Sequence, residues 1–427
     1  MRRRLQLALV IGAAFAAVLF GYSAYRGHQA EELVLEAEEL LSADLVAAPE
    51  LDRLHASEAE SLLRRAEKLG SRRATALRVR AEAIVDLQRG DLVFAASTIE
   101  SAAQSYGWDA DLHVVAAEVA RRKTDLRGAR EHIDAALEFV SDHPRALLIR
   151  ADLALDVRNG DAAEEALDRL AELVPDASVV HNRRALAQEL RLDFGAARTS
   201  LERALDLSPR YLDAWINLGR IERFAGDAQA SYDAFDAAVG VQHSDPDAVL
   251  GRGLSALELG LFEQAETDFR RSAELAPNDA EPVLALGDLF REQGDLVAAI
   301  AAYRQALERE AADAASWLKL GNALVAQRQP ELAVRAFEEA IRRAPNLAPA
   351  HNGMGAALMH LGDRDAAEDV LSHAAALDRL DPNPLLNLGL LREQDGDRDG
   401  ALAAWREALE RDPRSDVARS AVARLGG

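Results

Sequence analysis

The chain has 427 residues, a formal net charge of −22, and 49% apolar but only 5% aromatic residues. This negative charge argues against nucleic acid or an anionic lipid surface as the partner of the body of the protein. The chain contains no cysteine, which excludes a thiol nucleophile, a Cys-ligated metal site, a disulfide and a lipidated-Cys anchor.

The first segment, residues 1–28, is predicted to be a cytoplasmic basic stub followed by a transmembrane signal anchor. Three arginines at 2–4 precede an uncharged apolar stretch over 5–25, and about 20 such residues cross the ~30 Å hydrocarbon core as a helix. A cleavable signal peptide is the alternative. Its best cleavage site, after Ala24, would place Tyr22 where a small residue is needed.

Charge around this stretch predicts the orientation. The arginines lie before it, whereas Arg26 alone follows closely, ahead of Glu31 and Glu32. The positive-inside rule therefore keeps the N-terminus in the cytoplasm and exports the rest. Almost all basic residues are Arg rather than Lys, which is typical of a GC-rich bacterial genome. We therefore expect a single-pass protein of the bacterial inner membrane, with its body in the periplasm.

Small residues recur every fourth position inside the apolar stretch, at Ala13, Ala17 and Gly21. Such a row lets two membrane helices approach closely, so a partner membrane helix is one hypothesis. The other hypothesis is that these residues only make the helix soluble in lipid, because alanine is common in membrane anchors.

Residues 29–75 are predicted to form a helical cap or a degenerate first repeat. "AEELVLEAEELL" has acidic residues in its first turn, which suits a helix N-terminus. Pro49 lies in the break, and "SEAESLLRRAEKLG" indicates a second helix ending at Gly70.

Residues 76–415 repeat with a fixed step of 34 residues. Repeats begin at 178, 212, 246, 280, 314, 348 and 382, and weaker ones near 76, 110 and 144, for about ten in all. Four series of residues carry the period: Gly219, Gly253, Gly287, Gly321, Gly355 and Gly389; Ala265, Ala299, Ala333, Ala367 and Ala401; Phe235, Phe269, Tyr303, Phe337, Leu371 and Trp405; and Gly226, Gly260, Gly294, Gly362 and Gly396, with Arg328 as the exception.

One period predicts two helices and a turn. In the repeat around Trp317, apolar residues follow helical spacing on both sides of a polar turn at 327–331. Gly321 costs its helix about 1 kcal/mol relative to Ala. We expect it, with Ala333, to let the two helices approach closely, while Phe337 packs against the next pair.

This pattern resembles the tetratricopeptide (TPR) repeat. Its W-x-x-L-G appears as "WINLG" and "WLKLG", its A-x-x-x-F-x-x-A matches Ala333, Phe337 and Ala340, and its closing Pro matches Pro345. The resemblance implies an all-α fold, a right-handed α-solenoid of helix-turn-helix repeats. Residues 416–427 are predicted to form a C-terminal capping helix, because terminal repeats need a polar outer face.

No catalytic, cofactor-binding or metal-binding residue is predicted. "GRGLSA" at 251–256 matches G-x-G-x-x-A but has no preceding strand. His351, His360 and His373 share one repeat without the spacing of a helical metal pair.

The TPR resemblance implies a concave groove lined by the first helices of successive repeats. In that register the groove-lining candidates are Asn182, Arg183, Asn217, Arg220, Arg223, Lys319, Asn322, Asn352 and Asn387. Asn offers donors and acceptors to a peptide backbone, and Arg and Lys pair with carboxylates. The set is similar to the Asn ladder of peptide-holding TPR domains such as those of O-GlcNAc transferases. The alternative is that Asn and Arg are merely tolerated at exposed positions.

The sequence therefore predicts a non-catalytic scaffold, tethered to the inner membrane, that binds protein or peptide partners during assembly of an envelope machine. Pilus or secretion assembly, polysaccharide export and cytochrome c maturation are the settings implied by anchored TPR proteins. One alternative is a regulatory or targeting subunit of an envelope enzyme complex. Another is a cytoplasm-facing quality-control factor, although such factors often carry a Cys-ligated metal module that this chain lacks.

Overall fold

The computed structural model describes residues 26, 28–33, 35–37, 52–68, 91–309 and 313–426, and all regular secondary structure in these ranges is helical. The all-α prediction is thus confirmed for the described residues. None of the helices described there is both long and apolar enough to span a membrane. The predicted anchor at 5–25, with Ala13, Ala17 and Gly21, lies outside the described residues.

The described helices follow one another with short connections from Leu92 onward. They are α1 (Asp52–Lys68), α2 (Leu92–Tyr106), α3 (Ala110–Arg122), α4 (Leu126–Phe139), α5 (Pro144–Asp156), α6 (Gly160–Leu173), α7 (Ser178–Leu190), α8 (Phe194–Leu207), α9 (Leu212–Ala225), α10 (Ala228–Val241), α11 (Pro246–Glu258), α12 (Phe262–Leu275), α13 (Glu281–Glu292), α14 (Leu296–Leu307), α15 (Ala314–Ala326), α16 (Pro330–Arg343), α17 (Ala348–Leu361), α18 (Arg364–Leu377), α19 (Asn383–Gln394), α20 (Arg398–Arg411) and α21 (Asp416–Gly426).

The chain divides into two units, residues 1–227 and 228–427. Within each unit the two helices of a repeat pack together, and the second helix contacts the first helix of the following repeat. The first helices of neighbouring repeats also contact one another, for example α5 with α7 and α15 with α17. Each unit is therefore a stack of helix pairs in which a repeat contacts mainly its neighbours.

In the described repeats from residue 110 onward, the turn inside each repeat places one residue in the left-handed conformation. Glycine supplies it in several repeats, as at Gly294 (φ 80°) and Gly362 (φ 79°). Arg328 (φ 59°), Thr124 (φ 59°) and Leu192 (φ 60°) adopt the same conformation with a side chain. The turn geometry thus persists where the glycine series breaks, at a cost of roughly 1–2 kcal/mol for each non-glycine residue.

The helical glycines make room for the bulky residue of the second helix. A Cβ at Gly321 would lie 2.5 Å from Cε1 of Phe337, and a Cβ at Gly353, in the next repeat, would lie 2.5 Å from Cζ of the same ring. Phe337 is completely buried. Its ring therefore packs between its own first helix and the first helix of the following pair, which is the close approach expected at Gly321.

Candidate functional site

In each unit, we call the surface formed by the first helices of successive repeats the first-helix face of that unit. It comprises α3, α5, α7 and α9 in the first unit and α11, α13, α15, α17 and α19 in the second. All nine candidate residues from the sequence lie on these helices.

In the first unit an ion-pair network crosses three first helices. Nη1 of Arg121 lies 3.2 Å from Oδ2 of Asp156, and Nε of Arg183 donates to Oδ1 of Asp152 at 2.7 Å. Burial lowers the pKa of Arg183, but the attraction of Asp152 outweighs it, so the pKa is raised and the guanidinium stays charged. Arg183, expected to meet a partner's carboxylate, thus already has one within the chain.

An amide network adjoins it between α7 and α9. Asn182 is completely buried; its Nδ2 donates to Oη of Tyr211 at 3.2 Å, and its Oδ1 accepts from Nδ2 of Asn217 at 2.9 Å. Asn217, 9% exposed, accepts in turn from Nη1 of Arg220 at 3.2 Å. These two asparagines therefore hold neighbouring first helices together, and the buried Asn182 is out of a partner's reach.

Two arginines of α9 remain at this surface. Nη2 of Arg220 donates to Oε1 of Glu189 at 2.8 Å, and the Arg220 side chain is 41% exposed. Arg223 is partly exposed one turn later. Positive charge on this part of the face is therefore carried by exposed side chains.

The second unit presents a more open set of polar groups. Lys319 on α15 pairs with Asp288 on α13, which also accepts from Oη of Tyr303 at 2.7 Å. Asn322 is exposed one turn after Lys319. Because residues three apart share a helix face, Lys319 and Asn322 lie side by side.

An asparagine pair continues this row. Nδ2 of Asn387 on α19 donates to Oδ1 of Asn352 on α17 at 2.8 Å, and both side chains are partly exposed. An amide group has two N–H donors and an oxygen with two lone pairs. One bond between the pair therefore leaves hydrogen-bonding capacity on each residue.

Histidine at the start of a first helix has a structural role. Nε2 of His351 lies 2.9 Å from the carbonyl oxygen of Pro345, and Nε1 of Trp215 donates to the carbonyl oxygen of Pro209 at the same distance. The two side chains occupy the same position in their repeats and anchor the preceding turn. Within the part of the chain that the structure describes, no group of three or more His, Asp or Glu could hold a metal ion.

Sequence reasoning missed a histidine pair in the first unit. Nδ1 of His113 lies 3.0 Å from Nδ1 of His132, and the ring of Trp108 stacks on His113 with centroids 4.5 Å apart. Burial lowers the pKa of both histidines. The sequence does place these two histidines in one repeat, one on each of its two helices, and this could have predicted the contact.

Family models match most of the repeat region. Residues 114–178 and 182–249 match one tetratricopeptide repeat model, and residues 246–279 match another. Residues 263–412 match the model described as cilia and flagella-associated protein 70 C-terminal domain. No curated protein matches the chain.

Solved structures of similar fold have low sequence identity. Yeast Tom70 is 16% identical, with 83% of this chain and 96% of that chain covered and a TM-score of 0.44. A tetratricopeptide repeat protein from Parabacteroides merdae is 16% identical, with 58% and 99% covered and a TM-score of 0.47. PilF of Pseudomonas aeruginosa is 19% identical, with 50% and 97% covered and a TM-score of 0.43. At these identities the likeness says nothing about partners.

Proposed function

Since this chain belongs to the tetratricopeptide repeat family, we propose that it is a non-catalytic scaffold that binds a protein or peptide partner on its first-helix face. The observation that carries the proposal is the hydrogen-bonded pair of Asn352 and Asn387, partly exposed on neighbouring first helices of the second unit. Free donor and acceptor capacity on successive helices matches the repeating N–H and C=O groups of an extended peptide.

Lys319 and Asn322 extend this surface along the row. Lys319 is 39% exposed although it pairs with Asp288. An exposed pair of this kind contributes only about 0–1 kcal/mol, so a partner's carboxylate can compete for the ammonium group at little cost. The proposed partner segment is therefore extended and carries at least one acidic side chain.

The first-helix face of the first unit has buried asparagines and partly exposed arginines. Asn182 and Asn217 fix the spacing of α7 and α9, while Arg220 and Arg223 present positive charge. We propose that these arginines contact acidic side chains of the partner and that the buried amides keep their helices in register.

The test replaces Asn322, Asn352 and Asn387 together by Ala. A net hydrogen bond is worth about 0.5–1.5 kcal/mol, so three together should lower affinity at least tenfold while helicity is unchanged. Partners are first isolated by co-purification from solubilised membranes, and their affinity for each variant is then measured.

The matched control replaces Asn278 and Asn346, which are exposed in the turns between repeats. Retained binding in this control, with loss in the triple variant, would support the first-helix face. Equal affinity of the partner for the triple variant and for the control variant would refute the proposal that the first-helix face binds the partner.

We further propose that residues 5–25 anchor the chain in a bacterial inner membrane with the repeats in the periplasm, where the scaffold serves assembly of a pilus or secretion machine, polysaccharide export or cytochrome c maturation. The support is the uncharged apolar stretch behind the basic residues at 2–4. Alkaline phosphatase fused to the C-terminus should be active and sediment with membranes. A fluorescent cytoplasmic reporter would contradict the orientation, and a mature chain beginning near Tyr25 would contradict the anchor.

A further inference from the structure

A cavity of about 430 Å³ lies in the first unit between two successive second helices, α4 and α6, with α5 beneath them. Apolar side chains form its floor: Ile133, Leu147, Leu153, Ala154 and Ala166. It is built from residues other than the nine candidates of the first-helix face.

The cavity lies where the repeat pattern departs from that of the second unit. Ile133 occupies the repeat position that carries Phe269, Tyr303 and Phe337 elsewhere. An aromatic ring at this position fills the space between helix pairs, as Phe337 does between Gly321 and Gly353. Ile133 is smaller than a ring, and Ala117 and Ile149 stand beside it in place of Gly321 and Gly353. The three residues are buried in one cluster, and Ile133 also lines the cavity.

The rim of the cavity is basic in an otherwise acidic chain. Arg127, Arg130, Arg150 and Arg169 line it, together with Asp134 and Glu165. Four positive and two negative side chains give the lining an excess of positive charge, whereas the whole chain carries −22. A local reversal of sign attracts a ligand that the rest of the surface repels.

Two rim arginines, Arg127 and Arg130, are held only by weak contacts on their own helix, whereas Nη2 of Arg169 donates to the carbonyl oxygen of Ser141 at 2.7 Å and to Oδ1 of Asp142 at 2.9 Å. Nε of Arg127 pairs with Glu131 at 2.9 Å, and Nε of Arg130 lies 4.0 Å from Asp134; the two arginine side chains are 91% and 80% exposed. Exposed pairs of this kind contribute little. A ligand's carboxylates can therefore replace them without leaving a buried charge unpaired.

We propose that this arginine-rimmed cleft is a second docking site, for an acidic segment of a partner protein that inserts one aliphatic or aromatic side chain. The floor takes the apolar side chain, and the arginines pair with carboxylates on either side of it. Nucleic acid fits poorly, because its affinity depends on many phosphate contacts and the cleft itself includes Asp134 and Glu165. The site shares α5 with the first helices but contains none of the nine candidate residues of the first-helix face, so the two sites can be tested separately.

The experiment selects 12-residue random peptides displayed on phage against the full chain. Peptides that also bind Ala162→Phe are discarded, because Ala162 lines the cleft and a ring there would fill it. The surviving peptides should carry Asp or Glu around a single Leu, Ile, Met or Phe. Their affinity, measured with fluorescein-labelled copies, should fall as salt is added.

Two charge variants keep the test decisive if Ala162→Phe disturbs folding. Arg127→Glu with Arg130→Glu should weaken binding at least tenfold. Arg270→Glu with Arg271→Glu should change it less than twofold, since these are also exposed arginines of a second helix, paired with Glu266 and Glu274.

Several results would overturn the proposal. One is that no selected peptide distinguishes the chain from Ala162→Phe or from the Arg127/Arg130 variant. Equal losses in the two charge variants would indicate general electrostatics. Binding of octanoate in the cleft without any peptide would indicate a site for small carboxylates instead. Because the substitutions leave Asn322, Asn352 and Asn387 intact, capture of the first-helix partner should persist in every case.

Discussion

The packing of Phe337 makes Gly321→Ala a sharp test of the fold. In an exposed helix this substitution would stabilise by about 1 kcal/mol. Here the added Cβ would lie 2.5 Å from Cε1 and 2.8 Å from Cδ1 of Phe337. The ring cannot move away freely, because Gly353 on α17, the first helix of the following repeat, also contacts it. Overpacking of a core costs roughly 1–3 kcal/mol, so we expect a net destabilisation of about 1 kcal/mol.

Gly240→Ala is the matched control. Gly240 is also helical and in the same unit, but nothing lies within 4 Å of a Cβ built there. This substitution should stabilise by about 0.5–1 kcal/mol. The free energies of local unfolding, measured by native-state hydrogen exchange in α15–α17 and in α10, should therefore shift in opposite directions.

A second substitution examines the cause. A leucine at this position would not relieve the crowding, because a Cβ at Gly355 would lie 2.5 Å from Cγ of Leu371 in the next repeat. Phe337→Ala removes the ring atoms that a Cβ at position 321 would meet, so it should cost less in the Gly321→Ala background than in the natural chain, which a double-mutant cycle reports as coupling. If Gly321→Ala stabilised its region as Gly240→Ala does, or if no coupling appeared, our account of the glycine series would be wrong.

Three further predictions follow from local contacts. Asn182→Ala should lower stability by about 1–3 kcal/mol, because it leaves the buried hydroxyl of Tyr211 without its donor; urea denaturation checks this. Burial lowers the pKa of His113 and His132, so the unfolded chain binds protons more readily than the folded chain. The stability that these histidines contribute is therefore complete above about pH 6.5 and should be lost as the pH falls below that value. Hydrogen exchange in α3 and α4 at pH 7.5 and 5.5 checks this. Arg328→Gly should raise the thermal midpoint by relieving its left-handed conformation (φ 59°); the relief of about 1–2 kcal/mol is partly offset by the backbone entropy that glycine loses, about 0.5–1 kcal/mol.

The helical architecture could be predicted from the sequence because its signal is repeated. Where one repeat departs from the pattern, as Arg328 does in the glycine series, the other repeats still predict the turn, and the same turn forms there. The cleft beside Ile133 could not be predicted in this way. The sequence shows that the aromatic residue is missing, but whether a neighbouring side chain fills the vacated volume depends on packing that only coordinates show.

The sequence predicted on which helices the candidate residues lie, but not which of them already pair within the chain. The repeat register places Arg183, Arg220 and Lys319 on first helices, yet each pairs within the chain. All three pairs join residues 31 positions apart: Arg183 with Asp152, Arg220 with Glu189, and Lys319 with Asp288. An offset of one repeat less three residues, nearly one helical turn, is thus one of two that bring side chains of neighbouring first helices together; the asparagine pairs use the other, one repeat plus one residue.

The first of these offsets is a signal that the sequence does contain, and it sorts the candidates. Arg183, Arg220 and Lys319 each pair with a carboxylate 31 positions earlier on the preceding first helix, so a partner must displace that carboxylate to use their charge. Arg223 has Leu192 at that distance, and Asn322 has Arg291 before it and Gly353 after it. Arg223 therefore has no carboxylate at this offset, and the uncharged Asn322 has no carboxylate or amide there. We accordingly expect Arg223→Ala and Asn322→Ala each to weaken partner capture more than Arg183→Ala does, and the reverse order would show that the internal pairs open to receive the partner.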